Sequence, residues 1–217
     1  MPELANRCRL VLNANPLSCT PEVLKSAAAG GDVASCILYQ GDADPGQFDS
    51  FCKSCVGDLQ SQQVAVLIAD DTQLFGRTGA DGLFLEKGKA VLADNVARFS
   101  PHSIVGCGGI KNRHTALEIG EARPDVVLFG KLGGDIRPEP HPKNVNLAEW
   151  WAQLVEVPAI LLAGNEIGSV IECAETGVDF VALESAVFGG SVSPSEAVAL
   201  ANQLLDEHAP DLSEIMP

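Results

Sequence analysis

One junction recurs along this chain: a small or turn residue, an aspartate, then an apolar run. It stands as Gly30-Gly31-Asp32 before VASCIL and as Gly79-Ala80-Asp81 before GLFL. It returns as Arg123-Pro124-Asp125 before VVLFG and as Gly177-Val178-Asp179 before FVAL. These aspartates lie 49, 44 and 54 residues apart. A βα unit takes roughly 25–30 residues, so each interval holds two units. With the ends counted, the chain has room for eight. The glycines suit helix C-caps that need a left-handed backbone. The apolar runs are continuous rather than alternating, as parallel strands covered on both faces are. No G-x-G-x-x-G follows an early strand, and no linker or low-complexity stretch interrupts the 217 residues. The expected fold is α/β, a single (βα)8 TIM-type barrel over residues 1–217.

The strands read at 9–13, 33–39, 64–69, 83–85, 103–107, 126–130, 159–163 and 180–183. Thr20 and Pro21 open the first helix as cap and first-turn residue. A long loop, Lys131–Asn146, is expected after the sixth strand, with a helix at Leu147–Val155 capped by Asn146 and Glu149. Ser193-Pro194-Ser195-Glu196 opens the last helix, and the tail DLSEIMP reads as frayed chain.

The net charge of −15 argues against a nucleic-acid partner, which needs a basic surface. A locally positive pocket for a phosphorylated small molecule remains compatible with it. No apolar run is long enough to span a membrane, and the start, MPELANRCRL, lacks the pattern of a signal peptide. The expected location is the cytoplasm. A homo-oligomer is compatible with the sequence, which does not fix the assembly. Seven scattered cysteines give no disulfide framework. Cys52-Lys53-Ser54-Cys55 reads as two helix residues one turn apart, since no strand leads into it.

In a (βα)8 barrel the reacting groups lie on the loops after the strands. Those loops carry Asn13 and Asn15, Gln40 and Asp42, Asp70 and Asp71, then Glu86, Lys87 and Lys89. Further on come Cys107, Gly108 and Gly109, then Lys131, Asp135, Arg137 and His141, then Gly164 and Asn165, then Glu184 and Ser185. Asp70 and Asp71 either offer hard oxygens to Mg²⁺ or supply a helix cap. Only Asp70 is placed to face the mouth, so the cap falls to Asp71. Gly106–Gly109 is either an oxyanion cradle or a tight βα turn. Lys131 and Arg137 either hold a pyrophosphate or sit solvated on a long loop. Gly164, Asn165 and Ser185 follow the seventh and eighth strands, where barrels often bind phosphate.

With these residues in view, the chain resembles the thiamine phosphate synthase family, which includes a thiazole tautomerase branch. The likeness runs through VAVLIADDTQLFGRTGADGLFLEKGKA, SIVGCGGIKNRHTALEIGEARPDVVLFGKL and GVDFVALESAVF. The family's Asn-Asp pair after strand three reads Ala69-Asp70 here. Its G-A-D-G-[VI]-H-L reads Gly79–Leu85 with Phe84 for the histidine, and its Ser-Ala reads Ser185-Ala186. The resemblance implies a (βα)8 barrel that joins a pyrimidine methyl pyrophosphate to a thiazole phosphate, with Mg²⁺ and release of pyrophosphate. It leaves Asp70 as a metal ligand and Gly164 and Ser185 as a phosphate pocket; Gly108, Lys131 and Asn165 join them as phosphate or substrate candidates from the loop reading alone. Lys89, Cys107, Arg137 and His141 are the candidate catalytic residues.

The sequence also departs from the family pattern. The Gln-x-Arg-x-Lys that grips pyrophosphate aligns with Ile37, Tyr39 and Gly41. Lys89 stands for the second metal aspartate, and Cys107 stands for a serine. In the sixth loop only Arg137 is basic within Asp135–Pro138. Three activities therefore stay open. They are a divergent synthase, a non-catalytic binder of thiazole phosphate or thiamine phosphate, and a tautomerase-like isomerase using His141 or Glu184.

Overall fold

The computed structural model describes residues 6–86 and 89–215. Eight parallel strands close into a barrel in chain order. They are β1 (Arg9–Ala14), β2 (Val33–Leu38), β3 (Ala65–Ala69), β4 (Gly82–Leu85), β5 (Ile104–Cys107), β6 (Val126–Phe129), β7 (Ala159–Leu162) and β8 (Phe180–Leu183). β1 pairs with β8, Leu10 beside Val181 and Leu12 beside Leu183, which closes the ring. The helices around it are α1 (Pro21–Ala28), α2 (Pro45–Ser61), α3 (Thr72–Thr78), α4 (Leu92–Phe99) and α5 (Arg113–Glu121). They continue as α6 (Pro142–Ala152), α7 (Val170–Glu175), α8 (Ser185–Phe188), α9 (Pro194–His208) and α10 (Leu212–Ile215). The expected barrel is the observed one. No helix among the described residues is long and apolar enough to cross a membrane.

The recurring aspartates turn out to be latches between neighbouring strands. Asp81 Oδ2 accepts the Val66 N–H at 2.8 Å, Asp125 Oδ2 accepts the Val105 N–H at 2.8 Å, and Asp179 Oδ2 accepts the Ala159 N–H at 2.7 Å. Asp32 instead holds the Arg9 guanidinium on β1, with contacts of 2.6 to 3.0 Å. Each even strand thus begins with a carboxylate that fixes the start of the odd strand before it. This is why the junction repeats every two units rather than every unit.

Side-chain direction alternates along each strand, so one face of the ring fills the axis and the other meets the helices. Val11, Ile37, Leu67, Phe84, Leu128, Ile160 and Ala182 pack along the axis. Leu10, Leu12, Cys36, Val105, Cys107 and Val127 belong to the larger core between sheet and helices. Phe84 is the bulky member of the axis, and β5 makes room for it. A Cβ on Gly106 would lie 2.7 Å from the Phe84 ring and one on Gly108 would lie 3.1 Å away.

Three expectations change. α6 begins at Pro142, five residues before the expected start. His141 is its N-cap, Nδ1 accepting the Lys143 N–H at 3.2 Å, while Asn146 lies inside the helix and bonds back to the Pro142 carbonyl. The loop after β6 is therefore 130–141. The segment after β8 forms α8, and the tail forms the short α10 rather than frayed chain. Asp71 caps α3 through the Leu74 N–H, as the capping alternative required.

Candidate functional site

The mouth is assembled at the C-terminal ends of the strands. After β1, Asn15 folds its own loop: its Oδ1 accepts the N–H groups of Leu17 and Ser18 at 2.8 and 3.2 Å. That arrangement aims Nδ2 across the mouth, where it donates to Glu184 Oε1 at 3.0 Å. Tyr39, just beyond β2, donates its hydroxyl to the same oxygen at 2.6 Å. Glu184 is buried, and its other oxygen, Oε2, has no hydrogen-bond partner. Burial pushes the Glu184 carboxyl up from 4.5 to about 7; the nearby Asp135 charge adds to this, against the pull of Tyr39, Gly133 and Asn15. The Gly133 backbone N–H favours the charged form. Tyr39 is driven above its ordinary range by burial and by its bond to Glu184.

The loop 130–141 crosses this mouth and is held on three sides. The Leu132 N–H donates to Glu86 Oε1 at 2.7 Å, and the Leu132 side chain packs into the barrel axis. Asp135 is buried and its Oδ2 accepts the Ser185 N–H at 2.6 Å. The Asn165 N–H donates to the Arg137 carbonyl at 2.7 Å. Gly164 admits the loop: a Cβ there would lie 2.0 Å from the Pro138 carbonyl oxygen.

The loop separates two compartments. One is a cavity of about 840 Å³ over the axis, lined by Asn15, Tyr39, Asp42, Asp70, Glu184 and Ser185 among others. The other, of about 790 Å³, lies between the β5–α5 and β6–α6 loops and is lined by Lys111, Lys131, Arg137, Lys143 and His141. Glu86 and Lys131 line both. Four cations, Lys111, Lys131, Arg137 and Lys143, share this wall with three carboxylates, Glu86, Asp135 and Glu139, so the cavity is close to neutral in a chain of net charge −15.

The sequence candidates fall unevenly on this geometry. Lys131, Arg137, His141 and Gly108 line the cavity of about 790 Å³. The Gly108 N–H is already committed to the Leu85 carbonyl at 3.0 Å, which favours the tight turn over the oxyanion cradle. Asp70 and Ser185 line the axial cavity. Asp70 sits at φ 55°, and its Oδ1 accepts the Glu86 N–H at 3.0 Å. The Gly164 N–H donates to Ser169 Oγ at 3.0 Å, so the N–H groups of Gly164, Asn165 and Ser185 all have partners within the chain. Cys107 is turned the other way, into the core between sheet and helices. Burial pushes its thiol up to about 12, so it offers no nucleophile to the mouth. The side chain of Lys89 and all of Lys87 lie outside the described residues. Lys111 and Lys143 went unrecognised in the sequence: one stands just before Asn112, the N-cap of α5, and the other stood inside the expected long loop.

Mg²⁺ finds a limited donor set here. Among the described residues no group of three or more His, Cys, Asp or Glu side chains is gathered for a metal. Asp70 offers a single carboxylate, which fits an ion that arrives with a ligand's phosphate oxygens, the usual way Mg²⁺ is held.

Fold and site together define a (βα)8-barrel protein with two cavities at the C-terminal ends of its strands, one of them carrying four cations and three carboxylates on its wall. The family model described as thiamine monophosphate synthase matches residues 9–187. The chain belongs to that family. It is 29% identical over 213 residues to the thiamine-phosphate synthase of Hyphomonas neptunium, covering 94% of this chain and 96% of that one. It is 27% identical to the thiamine-phosphate synthase of Rhodospirillum centenum, covering 91% and 98%. Among solved structures, the thiamine phosphate pyrophosphorylase from Pyrococcus furiosus superposes with a TM-score of 0.77 at 18% identity, over 96% of this chain and all of that one. At that identity the superposition speaks for the fold.

Proposed function

We propose that this barrel works in thiamine biosynthesis as a synthase-type transferase, joining a pyrimidine methyl pyrophosphate to a thiazole phosphate. The observation that carries the reading is the cavity beside the β6–α6 loop, where Lys111, Lys131, Arg137 and Lys143 outnumber the carboxylates Glu86, Asp135 and Glu139. The reaction breaks the bond between the methylene carbon and the pyrophosphate oxygen, and the electron pair leaves with pyrophosphate. The carbocation left behind is captured by the thiazole nitrogen lone pair, forming the new C–N bond. Lys131 and Arg137 stabilise the charge that grows on the departing oxygens, where fixed cations are worth most. The carboxylates of the neighbouring axial compartment, Asp42, Asp70 and Glu184, favour the positive carbon. Mg²⁺, carried with the pyrophosphate and met by Asp70, would neutralise part of the leaving group's charge. The same reading places the protein in the cytoplasm, with a phosphorylated small molecule as its partner.

A binding-only role is the second reading, and one observation favours it. The loop 130–141 lies closed over the mouth, and Leu132 occupies the barrel axis. One set of measurements separates the two. Inorganic pyrophosphate and thiazole phosphate should each raise the melting temperature, and the double change Arg137→Ala with Lys131→Ala should remove the pyrophosphate shift. Thiamine phosphate formation from the two substrates, followed with and without Mg²⁺, then decides between catalysis and binding alone. No thermal shift with either phosphate refutes both readings.

A further inference from the structure

On the outer wall of the barrel, the seam between α5 and α6 carries features that the reaction above leaves unexplained. Leu117 on α5 is 50% exposed, and Leu154, just past the end of α6, is 68% exposed. One such leucine is ordinary; two along one seam form a patch. On α6, Lys143, Leu147, Trp150 and Leu154 follow one another at spacings of four, three and four, which puts them on one stripe. On α5, Arg113, Leu117 and Glu121 do the same at spacings of four. The stripes meet where the Arg113 guanidinium lies 4.9 Å from the centre of the Trp150 ring. At the N-terminal end of the seam is a cavity of about 680 Å³, lined by Arg113, Lys143 and Leu147 and, among the described residues, by no carboxylate. The charges run against the helices that carry them. Neither helix has an acidic residue in its first turn or a basic one in its last. Arg113 opens α5 and Glu121 closes it; Lys143 stands in the first turn of α6 and Glu149 in its last. A lone helix favours the opposite order, because its N-terminal end is positive.

We infer that this seam is the contact face for a second copy of the chain, the two related by a twofold axis that crosses α5 at right angles at the level of Leu117. A twofold contact sets a patch against itself. An axis at right angles to the helices reverses one copy, so α5 packs head to tail on α5 of the second copy. Leu117 is four residues from both Arg113 and Glu121. The axis therefore sets Leu117 against Leu117, and Arg113 against Glu121, once on each side. On α6 the same reversal carries Leu154 over the cavity of the second copy. There an exposed apolar knob meets the buried Leu147, with Arg113 and Lys143 at the rim. Apolar anchors inside a charged rim are what a stable contact is built from. An axis parallel to the helices would set cation on cation and acid on acid instead. The occupant is a second copy because the seam is complementary to its own reverse, in chains that otherwise repel at −15 each. The inference does not rest on the activity proposed above.

Sedimentation velocity of the full chain over a wide range of protein concentration reads the assembly. The wild type should form a dimer that dissociates on dilution. Leu154→Glu and Leu117→Glu, both at exposed positions, should each raise the dissociation constant about tenfold or more, with the far-ultraviolet circular dichroism unchanged. Arg113→Glu and Glu121→Arg should each weaken the dimer by a similar factor, and the double variant should recover most of the loss. Arg113 and Glu121 lie two turns apart on α5, too far to rescue each other within one chain. Glu121→Arg suits the helix end, so at monomeric concentrations it should keep or raise the melting temperature while it weakens the dimer. A residue with a purely structural role would lower the melting temperature. If a leucine variant fails to fold, the charge pair decides alone. A monomer at every concentration overturns the inference. So does a dimer that both folded leucine variants leave unchanged, which would use another face, and so does a double swap that dimerises no better than the single ones.

Discussion

Replacing Glu184 by glutamine removes a charge the fold holds at a disadvantage, and the size of the effect follows from the titration. The carboxyl ordinarily titrates at 4.5 and is raised to about 7, chiefly by burial. A raised carboxyl contributes stability that is fully present below the unfolded value. That contribution is lost as pH rises through the folded value. At roughly 1.4 kcal/mol for each pH unit between the two, the wild type loses about 3 kcal/mol between pH 4.5 and pH 7 from this one group. Glutamine does not titrate and keeps an Oε1 acceptor for Tyr39 and Asn15. The constant part of the substitution, including the new amide in place of Oε2, cancels when the variant and the wild type are compared across pH. The difference in unfolding free energy should therefore shift by about 3 kcal/mol in favour of Glu184→Gln from pH 4.5 to pH 8. For a chain of this size that is roughly 6–12 °C in relative melting temperature. Chemical denaturation at five pH values, wild type beside variant, measures it directly. A difference that stays flat across that range refutes the reasoning, and with it the burial of a titrating carboxyl at the mouth.

Three further outcomes can be checked. Cys107, buried among the helices with its thiol pushed up to about 12, should resist alkylation at pH 8 in the folded protein. Peptide mapping should find it labelled only after unfolding. Asp179→Ala strips the Ala159 N–H of its 2.7 Å acceptor at a buried strand start and should cost about 1.5–3 kcal/mol; urea unfolding gives the value. Gly164→Ala places a methyl 2.0 Å from the Pro138 carbonyl and should displace the loop 130–141 at a cost of about 1–3 kcal/mol. Hydrogen exchange should then show the Asn165 N–H losing its bond to Arg137.

The barrel was legible in the sequence because its signals are local. The spacing of Asp32, Asp81, Asp125 and Asp179 counts the units, and continuous apolar runs mark strands covered on both faces. The start of α6 was hidden because RPEPHP reads as loop, and histidine is not among the favoured capping residues. Cys107 was misplaced for a different reason. A run that is apolar throughout carries no alternation, so it does not reveal which residues face the axis. The mouth could be populated from sequence but not wired. Asp135 meets Ser185 across 50 residues, Tyr39 meets Glu184 across 145, and Asn15 meets Glu184 across 169. Such pairings depend on the closed ring, and they decide which N–H groups are already taken.

The strand latches also set where the chain tolerates a break. Each carboxylate reaches back only 15 to 23 residues, from Asp81 to Val66 at the shortest and from Asp32 to Arg9 at the longest. A cut within α4 leaves the Arg9–Asp32 and Val66–Asp81 pairs in one fragment and the Val105–Asp125 and Ala159–Asp179 pairs in the other. A cut within α3 parts Val66 from Asp81. Halves severed at α4 should therefore reassociate into a barrel on mixing, and halves severed at α3 should do so far less readily. The chain is organised as four two-stranded modules, and the boundary between β4 and β5 halves it without parting a latch.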